Sequence, residues 1–121
     1  MEKTKYKILN SRNGEILASK VVLADTFWLR LKGLIGRDNI EDEEALILYP
    51  CSEIHCYGMK FNIDIIFLDK DKKVISCIDN IIPGSRARVK DAKYAIEFKA
   101  GLVKKKQVKK EDILVFEECL F

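Results

Sequence analysis

The sequence predicts a mainly β fold, an antiparallel β-sandwich or partly open barrel with one short helix. Three observations predict it. Apolar runs of strand length recur at near-regular spacing, turn-forming residues separate them, and one stretch alone carries apolar residues at helical spacing. A length of 121 residues fits a single domain, residues 1–121, because one core of ordinary size is what such a chain can build. With 48% hydrophobic and 34% charged residues, the composition is that of a globular protein that needs no metal or crosslink to hold a core.

The elements follow in order. Lys3 to Leu9 and Glu15 to Leu23 flank Asn13-Gly14, a dipeptide suited to the positive φ angles of a tight turn, and read as a β-hairpin. Asp25 or Thr26 then caps a helix near residues 26–35, where Phe27, Trp28, Leu31, Leu34 and Ile35 share one face. Gly36 is its stop. Gly33 inside the stretch disfavours helix by about 1 kcal/mol relative to Ala, so either the helix is short or something packs closely there. Ala45 to Tyr49 reads as a strand ended by Pro50. Ile63 to Leu68 and Lys73 to Ile82 form a second hairpin around Asp69-Lys70-Asp71-Lys72. After Pro83-Gly84-Ser85 the strand pattern resumes from Arg88 to Lys99. Ala100-Gly101 opens a Lys-rich stretch with at most one helical turn, and Ile113 to Phe116 is the last strand.

Charge and cysteine usage exclude several classes of function. Lys plus Arg number 22 against 19 Asp plus Glu, and a net charge of +3 is too small to imply nucleic acid or anionic lipid as a partner. The acidic run Glu41 to Glu44 and the basic cluster Lys104, Lys105, Lys106, Lys109 and Lys110 read as solvated faces, and the lysines lack interleaved aromatics that could stack on bases. Cys51, Cys56, Cys77 and Cys119 do not form the paired CxxC spacing of a zinc or redox site, so neither a metal nor a cofactor is expected. No sequence rule joins them as disulfides. The N-terminal MEKTKYKILNSRNG lacks the apolar stretch of a signal peptide, and no run approaches the roughly 20 residues of a membrane span. The chain reads as cytoplasmic, with reduced thiols.

Five residues are candidates for a ligand site: Arg30, His55, Met59, Asp64 and Glu97. Asp64 stands among Ile63, Ile65 and Ile66, and Glu97 between Ile96 and Phe98. Such a carboxylate either faces solvent from a half-buried strand or is buried with a partner, since an unpaired buried charge is expensive. Strand alternation gives Glu97 a solvent-facing position. Asp64 is balanced between the two, because the adjacent Ile65 and Ile66 suggest a strand covered on both faces. Arg30 and Arg37 are its candidate partners. A functional reading makes Asp64 and Glu97 an acid and base pair, as in glycoside hydrolysis. His55, the single histidine, lies near Cys51 and Cys56. In an extended segment it stands about 13 Å from Cys51, at about 3.3 Å per residue, too far for a shared metal or a thiol nucleophile. The structural alternative is a lone histidine beside small buried thiols. Met59, Phe61, Tyr57 and Trp28 could line an apolar pocket or could be core.

The stretch CSEIHCYGMKFNIDIIFLDKDKKVI, Cys51 to Ile75, carries a family resemblance. Its Met59, Phe61, Ile63, Asp64, Phe67, Leu68, Asp69 and Val74 resemble the central motif of the domain of unknown function 192 family, a methionine followed five positions later by an aspartate heading an apolar strand. LRLKGLIGR at Leu29 to Arg37 and YAIEFKAG at Tyr94 to Gly101 are similar to two further family segments, and Pro83 and Asp112 fall where the family places a proline and a turn aspartate. The resemblance spans residues from about 24 to 115. It implies a compact β-sandwich of jelly-roll type with a short helix beside it, and brings no established reaction or ligand. The chain departs from the family in having Tyr57-Gly58 where many members have an aromatic pair, Asn62 where many have proline, and no export signal or anchor.

The function expected from these residues is a small non-catalytic binding or interaction domain, for a small molecule or a protein ligand. The alternative is a hydrolase-type enzyme using Asp64, Glu97 or His55. A break in the chain near Asn62 is also expected, since it would bring Met59 and Asp64 to the same side of the sheet.

Overall fold

A computed structural model describes residues 5–119, apart from the side chains of Phe27, Trp28 and Leu31. The expected strand start at Lys3 and the expected apolar contact of Trp28 lie outside the described set. Strands β1 (Lys5–Asn10) and β2 (Ile16–Ala24) form the expected hairpin. Gly14 turns it at φ 72°, a left-handed angle that glycine adopts without penalty, and its N–H donates to Asn10 O at 2.8 Å.

Helix α1 (Phe27–Lys32) begins where the Thr26 side chain accepts the Leu29 N–H at 3.2 Å. It ends at Gly33, not at Gly36. Gly33 has φ 47° and ψ −126°, and its N–H donates to Leu29 O. The glycine that disfavoured a longer helix is therefore its terminator.

The chain continues through β3 (Glu44–Leu48), β4 (Glu53–His55), β5 (Ile63–Leu68), β6 (Val74–Ile81), β7 (Arg86–Arg88) and β8 (Tyr94–Lys99). The single turn of α2 (Leu102–Lys105) follows Gly101, and β9 (Leu114–Cys119) closes the series. A seven-stranded sheet has the order β6-β5-β8-β3-β2-β1-β9, and β4 pairs with β7 in a small second sheet. The mainly β class is as the sequence predicts, but the large sheet is mixed. β2 and β3 run parallel, because the connection between them crosses over through α1, while the other neighbours pair antiparallel. The sheet curls until its edge strands meet at one corner, in the isolated bridge Lys73–Ile113 with Val74 N–H on Asp112 O at 2.8 Å. It does not close into a barrel.

Two apolar clusters cover the two faces. Ile66, Leu68, Ile96 and Phe98 pack on one side with Ile8 and with Leu102 of α2. Ile65, Phe67 and Ala95 pack on the other with Leu34, Ile54 and Met59, which belong to the segments that follow α1 and β3. Every residue of β5 is buried as a result. That is the pattern of a strand covered on both faces.

Candidate functional site

Glu97 occupies the middle of β8, opposite Leu46 of β3 and Ile65 of β5. Alternation does turn it away from Ile96 and Phe98, but the face it turns to is not solvent. α1, the chain after it and the small β4–β7 sheet cover that face, and Glu97 is 4% exposed. The solvent-facing position expected from alternation is thus corrected by a second layer that the strand pattern alone does not reveal. Glu97 Oε1 is fully buried and has no hydrogen-bond partner among the described residues. Burial pushes its carboxyl up to about 7, since loss of hydration penalises the charged form.

Glu97 lines an open cleft of about 570 Å³. One wall is the end of α1 and the residues after it, Arg30 and Lys32 to Ile35, and the other is Pro50 to His55. Leu48, Tyr57 and Met59 complete it. Arg30, His55, Met59 and Glu97, four of the five residues singled out from the sequence, meet in this one space. Met59 is nearly buried, at 8% exposure, while Tyr57 is exposed and stacks on His55 with ring centroids 5.7 Å apart. His55 Nε2 stands 3.4 Å from Glu53 Oε1. The Arg30 guanidinium donates through Nη1 to Asp25 O and Tyr49 O, both at 3.1 Å, which ties α1 to the chain beyond β3.

The thiols of this region are held in their neutral form. Burial pushes Cys56 up to about 11. Cys51 is raised as well, first by burial, and its Sγ lies 3.2 Å from Glu53 O. Neither is an activated nucleophile. Among the described residues no group of three or more His, Cys, Asp and Glu side chains converges in a way that could hold a metal ion.

Asp64 is elsewhere. It pairs in register with Phe98, one step from Glu97, and so points to the opposite face of the sheet. It is fully buried. Oδ1 accepts the Asn80 N–H at 2.8 Å, and Oδ2 accepts the N–H groups of Gly101 at 3.1 Å and Val103 at 2.9 Å. Asn80 sits at φ 57°, where β6 carries extra chain opposite Asp64 and the register shifts between Ile63 and Ile65. The carboxylate therefore fixes an irregular stretch of β6 and the start of α2. Its expected partners are otherwise engaged, Arg30 as above and Arg37 with Glu44 at 2.9 Å. The break near Asn62 exists, since β4 ends at His55 and β5 starts at Ile63. It does not bring Met59 beside Asp64, because Met59 packs with Ile63 and Ile65 on the face that Glu97 shares.

Sequence reasoning missed Gly33 and Ile54 as lining of this cleft, and set Cys51 apart from His55 on the assumption of an extended segment, whereas both line it. Two signals were present: the misplaced glycine, and the run Ala95-Ile96-Glu97-Phe98, as apolar on both parities as the stretch around Asp64.

The profile of the family DUF192, described as "Uncharacterized ACR", matches residues 8–116. A UPF0127 protein of Thermococcus kodakarensis is 30% identical over 116 residues, covering 88% of this chain and 71% of its own. A UPF0127 protein of Thermococcus gammatolerans is 29% identical over 119 residues, with coverage of 91% and 74%. Two crystal structures share the fold. A protein of unknown function from Novosphingobium aromaticivorans superposes with a TM-score of 0.79 at 21% identity, over 92% of this chain and 83% of that one. A Sinorhizobium meliloti protein, provisionally described as a transcription regulator, superposes with a TM-score of 0.81 at 20% identity, over 95% and 94%. At such identity the likeness extends to the fold alone.

Proposed function

The chain belongs to the domain of unknown function 192 family, and from that premise we propose that it is a non-catalytic domain that binds a small molecule in the cleft beside Glu97. One observation carries the reading. A carboxyl oxygen is buried without a partner among the described residues in the lining of a largely apolar cleft, whereas buried polar groups in proteins are almost always hydrogen-bonded. A ligand that donates to Oε1 supplies the missing bond, and the apolar lining supplies contact area.

Binding is favoured over reaction by the same geometry. Asp64 and Glu97 face opposite sides of the sheet and cannot act on one bond, which speaks against the hydrolase alternative built on that pair. His55 is engaged with Glu53 and Tyr57, and the neighbouring thiols are neutral. In this reading residues 1–121 act as one domain, and we infer a cytoplasmic location on the support of four free thiols. Among the described residues no helix is long and apolar enough to cross a membrane.

A fragment library screened against isotope-labelled protein by amide NMR tests the proposal. Hits are expected to shift the amides of Gly33, Leu34, Met59 and Glu97. A library that yields no hits there, or hits only on other surfaces, rejects the cleft as a binding site.

A further inference from the structure

We propose that the cleft is selective for a primary ammonium group on an apolar stem, seated beside Gly33 between Glu97 and the carbonyl end of α1. The inference rests on the binding reading above and names the ligand's chemistry. A Cβ built on Gly33 would stand 3.6 Å from Glu97 Oε1 and 3.6 Å from the carbonyl oxygen of Arg30. Two acceptors thus face one point beside Gly33, where no side chain stands between them, and no donor among the described residues reaches Oε1.

The character of the niche follows from its borders. A carboxylate and the carbonyl at the end of a helix both carry negative charge or partial negative charge, so an anion is repelled and a cationic donor is attracted. An ammonium, with three donors at tetrahedral angles, can bond to both oxygens at once. The Arg30 guanidinium does not fill the space, because Nη1 is turned to Asp25 O and Tyr49 O. Beyond the niche, Leu34, Leu48, Ile54 and Met59 are buried apolar groups in the lining and offer contact to an aliphatic stem.

Binding of a cation here is coupled to protons. The empty Glu97 carboxyl titrates at about 7, and an ammonium needs it ionised. Below that pH each binding event therefore releases a proton from Glu97, and affinity rises as the pH is raised. The other charged or titratable groups lining the cleft are Arg30 and Lys32 from the α1 side and Cys51, Glu53, His55 and Tyr57 from the chain after β3, with the Cys56 thiol buried behind them. The thiols are raised and stay neutral through this range.

The test is an amide NMR titration with n-hexylammonium, 1-hexanol and hexanoate, compounds that share a stem and differ in the head group. Hexylammonium is expected to bind at least tenfold more tightly than either, and its affinity should rise by roughly twentyfold between about pH 5.5 and 7.5, as linkage to one carboxyl near 7 requires. In Glu97→Gln, whose fold is checked by its amide spectrum, both the preference for ammonium and the pH dependence should vanish. Equal or tighter binding of hexanol or hexanoate in the cleft overturns the ammonium class and leaves the binding site standing. Persistence of the pH dependence in Glu97→Gln assigns the proton to another group and also overturns the inference. Failure of all three probes to shift Gly33, Met59 and Glu97 overturns it together with the binding reading beneath it.

Discussion

Asp64 and Glu97 lie on neighbouring strands one register step apart and point to opposite faces of the same sheet. Each is buried, and the two solve the problem of a buried carboxyl in opposite ways. Asp64 is enclosed by three backbone N–H donors, while one Glu97 oxygen has no donor among the described residues. The first arrangement holds chain in place. The second leaves a bond for something else to make.

For Asp64 the expected cost of substitution is one of stability. Asp64→Asn replaces one acceptor oxygen by an amide nitrogen that cannot receive the N–H groups of Gly101 and Val103 while the other still faces Asn80, or the reverse. A loss of about 1 to 3 kcal/mol is expected, the scale for leaving buried donors unpaired. Equilibrium denaturation measures it, and ligand binding in the cleft should survive at temperatures well below the melting point.

Glu97→Gln should change how stability depends on pH. In the folded chain the carboxyl titrates at about 7, above its ordinary 4.5, so between those values the folded state holds a proton that the unfolded state releases. Stability is therefore full below the lower value and declines as pH rises through the higher one, by roughly 3 kcal/mol in all. Urea denaturation at several pH values should show this decline in the parent protein and a flat profile over the same range in Glu97→Gln.

Asp112 should produce the opposite slope. Burial pushes its carboxyl up, but hydrogen bonds from Arg12 Nε at 2.6 Å, Lys109 N–H at 2.9 Å and Asn10 Nδ2 at 2.8 Å outweigh that and hold it below the usual range. Its contribution is present above the unfolded value and lost as pH falls through the folded one. Asp112→Asn should lower stability at pH 7 and weaken the loss seen on acidification, both read by the same denaturation series.

Gly33→Ala should be costly without a clash. Its Cβ would meet only ordinary contacts at 3.6 Å, so the penalty comes from φ 47° and ψ −126°, which L side chains rarely adopt. A loss of about 1 to 3 kcal/mol is expected in thermal or chemical denaturation. Any probe that binds beside Glu97 should bind the variant less well.

Much of the fold was legible because its signals are local. Asn13-Gly14 specifies a hairpin, Thr26 a helix start, and Asp69 to Lys72 a second turn, each through chemistry confined to a few residues. The parallel pairing of β2 with β3 was not legible, since it depends on which edge of β2 the chain reaches after α1. Strand β4 was not either, being three residues long and paired with another equally short one. The site was half legible for the same reason. Arg30, His55, Met59 and Glu97 could be named, but period-two alternation assigned Glu97 to solvent, because the layer that covers it comes from Leu34, Ile54 and Met59, distant in sequence. Asp64 was drawn into the same site by its neighbours in the chain, although strand alternation sends it to the other face.

The central claim is that the buried Glu97 carboxyl keeps one oxygen without a partner among the described residues, and carbon-detected NMR titration of its side-chain carboxyl tests that most directly. The account predicts a midpoint near 7 in the free protein, and a marked fall in that midpoint when n-hexylammonium is bound. A midpoint at the ordinary glutamate value in the free protein would contradict it, because the carboxyl would then be hydrated or already paired, and the cleft would have no bond left to offer.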